Sequence, residues 1–248
     1  MDTEVWWTKY HKQHADFREW VLDGPEVADG VGSLLSKLAA VDNGCGRVLH
    51  IGCGSSTLHE DLLKAGFQSV VNIDFSEEVI ARMRDRYSDR EELSFVVADA
   101  RNLDPPDFGG QESFDAVVGK GLFDCLLSHG SEEHKVLNCQ LTLRSLHRLM
   151  KPHALLVETS MFEPSKRVPY LEADNLFAVE PISVELNPLE LPHQKFSFIY
   201  ILRPKKADIS TNETAKTTDA SPTVEGGTSE LEAASNGLDV VTEVHDEV

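Results

Sequence analysis

Five short aliphatic and β-branched runs, "RVLHIG", "SVVNIDF", "LSFVVADA", "FDAVVGKG" and "HALLVETS", follow one another between Arg47 and Ser160. Each is continuously apolar rather than alternating, the mark of a strand buried on both faces. The stretches between them, "SSTLHEDLLKAG", "SEEVIARMRDRYSD" and "SEEHKVLNCQLTLRSLHRLMKP", carry helical periodicity. Ser76 reads as a helix N-cap, Gly66 as the end of one helix and Pro152 as the stop of another. Buried strands alternating with helices imply an α/β fold, a Rossmann-like doubly wound and mostly parallel sheet with right-handed crossovers. After the fifth run the alternation ends. "DNLFAVEPISVEL" and "QKFSFIYILRP" are strand-like and joined by the Pro-containing "NPLELPH", which predicts an antiparallel C-terminal strand pair at a sheet edge.

The 248 residues suffice for one core of ordinary size. Residues 43–206 hold the alternating pattern. Residues 207–248 set ten carboxylates against Lys216 alone and contain no aromatic residue, so this segment reads as a disordered acidic tail. Residues 1–42 carry Trp6, Trp7, Tyr10, Phe17 and Trp20 partly at helical spacing and are predicted to form an N-terminal helical cap packed on the sheet. The formal charge of −19 suits a basic patch on a protein partner and disfavours nucleic acid, whose phosphates ask for clustered Lys and Arg. Four cysteines without C-x-x-C spacing, and His11 and His14 without a third ligand, predict free thiols and no metal. With neither a signal peptide nor a membrane-spanning apolar run, the expected location is cytoplasmic.

The first strand runs into Gly52-Cys53-Gly54, a tight turn that opens a helix and lets backbone N–H groups approach a ligand. Twenty residues after Gly54, at the end of the second strand, Asp74 is placed to accept both hydroxyls of a ribose. The third position of a dinucleotide fingerprint is Thr57 and no P-loop is present, so a nucleoside without phosphates is expected. Phe75 would cover an adenine face, Asp99-Ala100 would meet its amino edge, and the fourth strand would end over the site at Gly119 and Lys120. "LDPPDF" precedes the fourth strand rather than following it and reads as a turn.

On these residues the chain resembles the seven-strand class I methyltransferases that use S-adenosyl-L-methionine. It is most similar to the methyltransferase-like protein-lysine methyltransferases acting on elongation factor 1A and citrate synthase. "VLHIGCGSSTL" resembles their V-L-x-x-G-C-G-N-S-x-L, "VVNIDFSEEVI" and "ADARNL" their second- and third-strand motifs, and "VVGKGLFDCLL" their D-K-G-T-x-D-A-x-L. The resemblance implies a seven-stranded sheet, S-adenosylmethionine as cofactor, and a protein substrate, with a translation factor among the candidates. The group's Asn after the second glycine is Ser55 here, its Asp before Lys-Gly is Gly119 and its Thr after Lys-Gly is Leu122.

A sulfonium methyl is already activated, so transfer to an amine needs in-line placement and a free lone pair more than an acid. Deprotonating a lysine of pKa about 10.4 near neutral pH costs roughly 4 kcal/mol, which desolvation beside a cation reduces. Asp124, which matches the acid after Lys-Gly, and Glu158, at the end of the fifth strand, are the catalytic candidates for orienting the amine. A small-molecule methyltransferase and a non-catalytic cofactor-binding subunit are the alternative readings.

Overall fold

The computed structural model describes residues 46–185 and 196–205. The N-terminal cap and the acidic tail expected from the sequence lie outside them. The strands β1 (Arg47–Ile51), β2 (Ser69–Asp74), β3 (Leu93–Val97), β4 (Phe114–Lys120), β5 (Met150–Ser160), β6 (Phe177–Glu185) and β7 (Phe196–Pro204) form a sheet ordered β3-β2-β1-β4-β5-β7-β6. β1 to β5 pair in parallel, whereas β7 inserts antiparallel between β5 and β6. This is the class I methyltransferase topology implied by the resemblance.

The helices are α1 (Leu58–Lys64), α2 (Glu77–Arg86), α3 (Leu122–Leu126), α4 (Glu132–Leu149) and α5 (Pro164–Leu171). Ser76 caps α2, its side chain accepting the Val79 N–H, and Ser131 caps α4 in the same way through the His134 N–H. Gly66, at φ +108°, follows the last residues of α1 and lets Phe67 N–H return to the Leu62 carbonyl. "LDPPDF" makes a single 3-10 turn over Pro105–Phe108. The expectation for Pro152 is corrected: α4 ends at Leu149 and passes directly into β5, so this proline lies inside the strand. It falls where the pairing shifts from Phe114↔Met150 to Ala116↔Leu155. A residue without an N–H fits such an irregularity because no ladder bond is lost there.

The continuous apolar strands split their side chains between two cores. Val48, Val70, Ala116, Val118, Leu155 and Val157 pack under α1 and α2. Leu49, Ile51, Val71, Ile73, Val117 and Leu156 face α3, α4 and α5 on the other side. Alternate residues of one strand therefore serve opposite layers, and each fully buried aliphatic side chain contributes about 1.5–3 kcal/mol.

Two histidines interrupt the first core. His50 Nδ1 meets Asn72 Oδ1 at 2.9 Å across the β1–β2 pair. His59 stands edge-on to Tyr87 and Phe95, and neither of its ring nitrogens has a hydrogen-bond partner. Burial pulls His50 down to about 4, against the raising effect of its bond to Asn72, and pulls His59 down to about 3, helped by the charges of His50, Arg90 and Arg86. Both folded values lie below the unfolded one near 6.5, so between them the unfolded chain binds more protons. Their contribution is complete above pH about 6.5 and is lost as pH falls through 6 toward 4. Thermal melts between pH 7 and 4 are expected to show a steep loss of stability in the native chain and a shallower one in His59→Phe. Equal slopes in the two proteins would remove His59 from this account.

Candidate active site

The sheet reverses its direction of winding at β1, which is flanked by β2 on one side and β4 on the other. A crevice opens beyond the carboxyl ends of strands at such a switch point. Gly52 and Gly54, leaving β1, have φ of +59° and +50°, a region that side-chain-bearing residues rarely occupy. A Cβ on Gly52 would also come within 3.1 Å of Leu122 Cδ1, so the glycine turn lies against the first residue of α3.

Asp74 fastens this turn to β2. Its Oδ2 accepts the Gly54 N–H and its Oδ1 the Ser76 N–H, both at 2.9 Å. Burial lifts the Asp74 carboxyl above its ordinary value, against the pull of those two N–H groups. Each oxygen has further acceptor capacity, which is what a pair of ribose hydroxyls needs. Phe75, the next residue, is half-buried.

Cys53 turns its side chain into the core, where burial pushes the thiol well up, while its N–H donates to the Ile73 carbonyl at 2.9 Å. Ala100 is buried in the second core, and the Ala98 N–H donates to the Asp74 carbonyl. The Asp99 carboxylate is held by the Arg101 guanidinium and backbone N–H at 2.6–3.0 Å. Burial acts to raise Asp99, but the bonds and charge of Arg101 outweigh it and keep the carboxyl below its ordinary range.

β4 ends in buried Gly119 and half-buried Lys120, whose ammonium burial pulls down to about 8. Gly121, at φ +77°, then turns the chain into α3, its N–H donating to the Thr159 carbonyl.

The two carboxylates predicted to orient an amine stand in one buried cluster behind this turn. Asp124 is 8 % and Glu158 1 % exposed. Asp124 accepts from the Ser160 hydroxyl, the Met161 N–H and Arg167 Nε, so all its nearby donors come from the end of β5 and from α5. Glu158 Oε1 accepts the Phe123 N–H at 3.1 Å. Burial, reinforced by the negative Asp124, holds Glu158 well above the ordinary carboxylate range despite the Phe123 and Leu122 N–H groups and Arg167.

Arg167 was not among the predicted site residues. It is 6 % exposed and stacks over the Phe162 ring at 4.2 Å. "SKRVPY" alone carries no spacing that singles it out. Met161 and Phe162 follow β5 and remain 41 % and 40 % exposed.

The glycine turn, the Asp74 carboxylate with open lone pairs and the half-buried Phe75 fit a nucleoside cofactor without phosphates. Residues 49–157 match the protein family described as a methyltransferase domain. That stretch, under half of the chain, carries the pattern of a methyltransferase domain.

The domain is similar to two curated mouse proteins. It is 39% identical over 105 residues to the eEF1A lysine and N-terminal methyltransferase, which covers 42% of this chain and 13% of that protein. It is 31% identical over 127 residues to EEF1A lysine methyltransferase 4, covering 49% of this chain and 48% of that protein. The chain thus spans less than half the length of either relative. Among solved structures, the N-methyltransferase NodS of Bradyrhizobium japonicum in complex with S-adenosyl-l-homocysteine superposes with a TM-score of 0.58 at 15% identity, covering 83% of this chain and 100% of that one. Magnesium protoporphyrin IX methyltransferase from Synechocystis with bound SAM gives 0.55 at 15% identity over 82% and 98%. These structures share the fold of the methyltransferase domain.

Among the described residues no helix is long and apolar enough to cross a membrane, and no cluster of three or more His, Cys, Asp or Glu is arranged to hold a metal ion. Cys53 and Cys139 are free thiols.

Proposed function

We propose that this domain transfers a methyl group from S-adenosylmethionine to a lysine side chain of a protein bearing a basic patch, in the cytosol. The observation that carries the cofactor half of this reading is the fastening of the Gly52–Gly54 turn by Asp74, whose two oxygens each keep further acceptor capacity. The mouse relatives named as eEF1A lysine methyltransferases support the acceptor half and make a translation factor the first substrate to test. The formal charge of −19 suits a basic partner.

In this reading Gly52, Cys53 and Gly54 offer backbone to the cofactor, Asp74 binds its ribose hydroxyls, Phe75 covers the adenine and Ala100 lies beside the base. Asp99, engaged by Arg101, would meet the adenine amino group only with an oxygen it shares. Gly119 and Lys120 supply backbone at the methionine end. The bound sulfonium supplies an activated methyl group. Asp124 and Glu158, which hold the β4–α3 turn against β5, are the acids that orient the amine. Met161 and Phe162 form an apolar wall on which a lysine's methylene stem lies. No dedicated base is needed, since a desolvated amine beside a cation loses its proton to water more readily.

Incubation with radiolabelled S-adenosylmethionine and a cytosolic protein extract is expected to label a protein band, and the band is expected to vanish with Asp74→Ala. A chain that binds the cofactor but labels no protein would overturn the lysine reading and favour a small-molecule acceptor or a non-catalytic subunit.

A further inference from the structure

The parallel pairing of β4 and β5 sets Gly119 directly beside Glu158. A Cβ on Gly119 would stand 1.8 Å from Glu158 Oε2 and 3.1 Å from both Glu158 Cδ and Ile51 Cγ1. The backbone of Gly119 has no positive φ, so conformation does not demand glycine here. Space does: the Glu158 carboxyl group fills the volume that any side chain at 119 would take.

The carboxyl is also unevenly bonded. Oε1 accepts the Phe123 N–H, whereas Oε2 is buried without a hydrogen-bond partner. Leaving a carboxyl oxygen unsatisfied inside a core is unfavourable, and such groups concentrate where a site gains from them. The gain here is local. Phe123 is the second residue of α3, and the first, Leu122, packs against the Gly52 turn. Glu158 therefore reaches from β5, across Gly119, to hold the start of the helix that backs the cofactor turn.

We propose that Glu158 is the positioning residue that sets the β4–α3 turn for cofactor binding, its carboxyl group delivered from β5 into the space that glycine at 119 leaves open. Either position can carry the acid, but not both. The proposal rests on the reading of the crevice as a S-adenosylmethionine site.

The test is a double-mutant cycle on the full chain with Gly119→Asp, Glu158→Ala and the two combined, read by S-adenosylmethionine affinity in calorimetry. Gly119→Asp alone is expected to weaken binding at least tenfold, because two carboxyl groups compete for one space. Glu158→Ala alone is expected to weaken it several-fold. The combined variant is expected to recover to within about threefold of the native chain. Losses that merely add in the combined variant would overturn the proposal.

Amide hydrogen exchange supplies a readout that a general packing role would not move. Protection of the Phe123 N–H relative to core strand amides is expected to fall in Glu158→Ala and return in the combined variant, and unchanged protection in Glu158→Ala would overturn the assignment. Glu158→Gln preserves the acceptor of the Phe123 N–H and is expected to bind within about threefold of the native chain; a tenfold loss would overturn the positioning role. A native chain that fails to bind S-adenosylmethionine at all would instead reject the cofactor reading, so the two failures are distinguishable.

Discussion

Arg167→Ala is expected to destabilise the domain by roughly 3–5 kcal/mol, the usual consequence of leaving a buried carboxylate without its cation. Arg167 Nε donates to Asp124 Oδ1 at 2.9 Å, with the two side chains 7% and 8% exposed. Its guanidinium also covers the Phe162 ring. Glu158 lies close enough to Asp124 for that negative charge to raise its carboxyl, so the cluster contains two acids and one cation. Removing the cation leaves the Asp124 carboxylate without its charged partner in a medium of low dielectric. Against a total stability of about 5–15 kcal/mol for a domain of this size, the variant should melt roughly 10 °C lower or fail to fold at 37 °C. Chemical denaturation of Arg167→Ala beside the double variant Asp124→Asn/Arg167→Met separates charge from packing. The double variant should lose less than the single one, since it leaves no uncompensated charge. A single-variant loss under about 1 kcal/mol would mean that the pair is effectively solvated.

Asp74→Ala is expected to abolish measurable cofactor binding, a loss of at least about a hundredfold, and Asp74→Asn is expected to be nearly as damaging. The two carboxylate oxygens accept N–H groups from different elements, Gly54 in the turn and Ser76 at the cap of α2. Asparagine has one acceptor oxygen, so its amide nitrogen would face one of these donors and leave it unpaired. Each buried donor left unsatisfied costs about 1–3 kcal/mol, and hydrogen bonds from ligand hydroxyls to a charged group are worth about 1.5–3 kcal/mol each. Calorimetric titration with S-adenosylmethionine, with circular dichroism to establish that the variants are folded, measures this directly. Wild-type affinity in Asp74→Asn would show that the carboxylate holds neither the turn nor the ribose.

The α/β class, the antiparallel ending and the glycine turn after β1 were legible because each rests on signals local in the chain. A continuous apolar run, a serine cap and a glycine pair after a strand act within a few residues of themselves. Asp74 was legible for a related reason, since one β-α-β unit brings the end of β2 beside the end of β1. Even so, its bonds to the Gly54 and Ser76 N–H groups, which make it a fastening of the turn, appear only in three dimensions.

Asp124 and Glu158 show where local reading ended. Their positions after the fourth strand and at the end of the fifth were plain from the sequence, but their partners depend on how β4, β5 and α5 pack. Arg167, 43 residues from Asp124, has no signal in spacing or composition. Pro152 likewise looked like a helix stop until the β4–β5 register showed an irregularity able to accept it.

From the sequence alone came the α/β class, the mostly parallel sheet with its antiparallel end, and the glycine–aspartate cradle, because periodicity and turn chemistry are properties of neighbouring residues. The tertiary structure alone decided that Glu158 fills the space above Gly119 and that Asp124 is matched to Arg167. Those are relations between side chains on separate elements, and the strand register and helix packing that create them exist only once the sheet has formed.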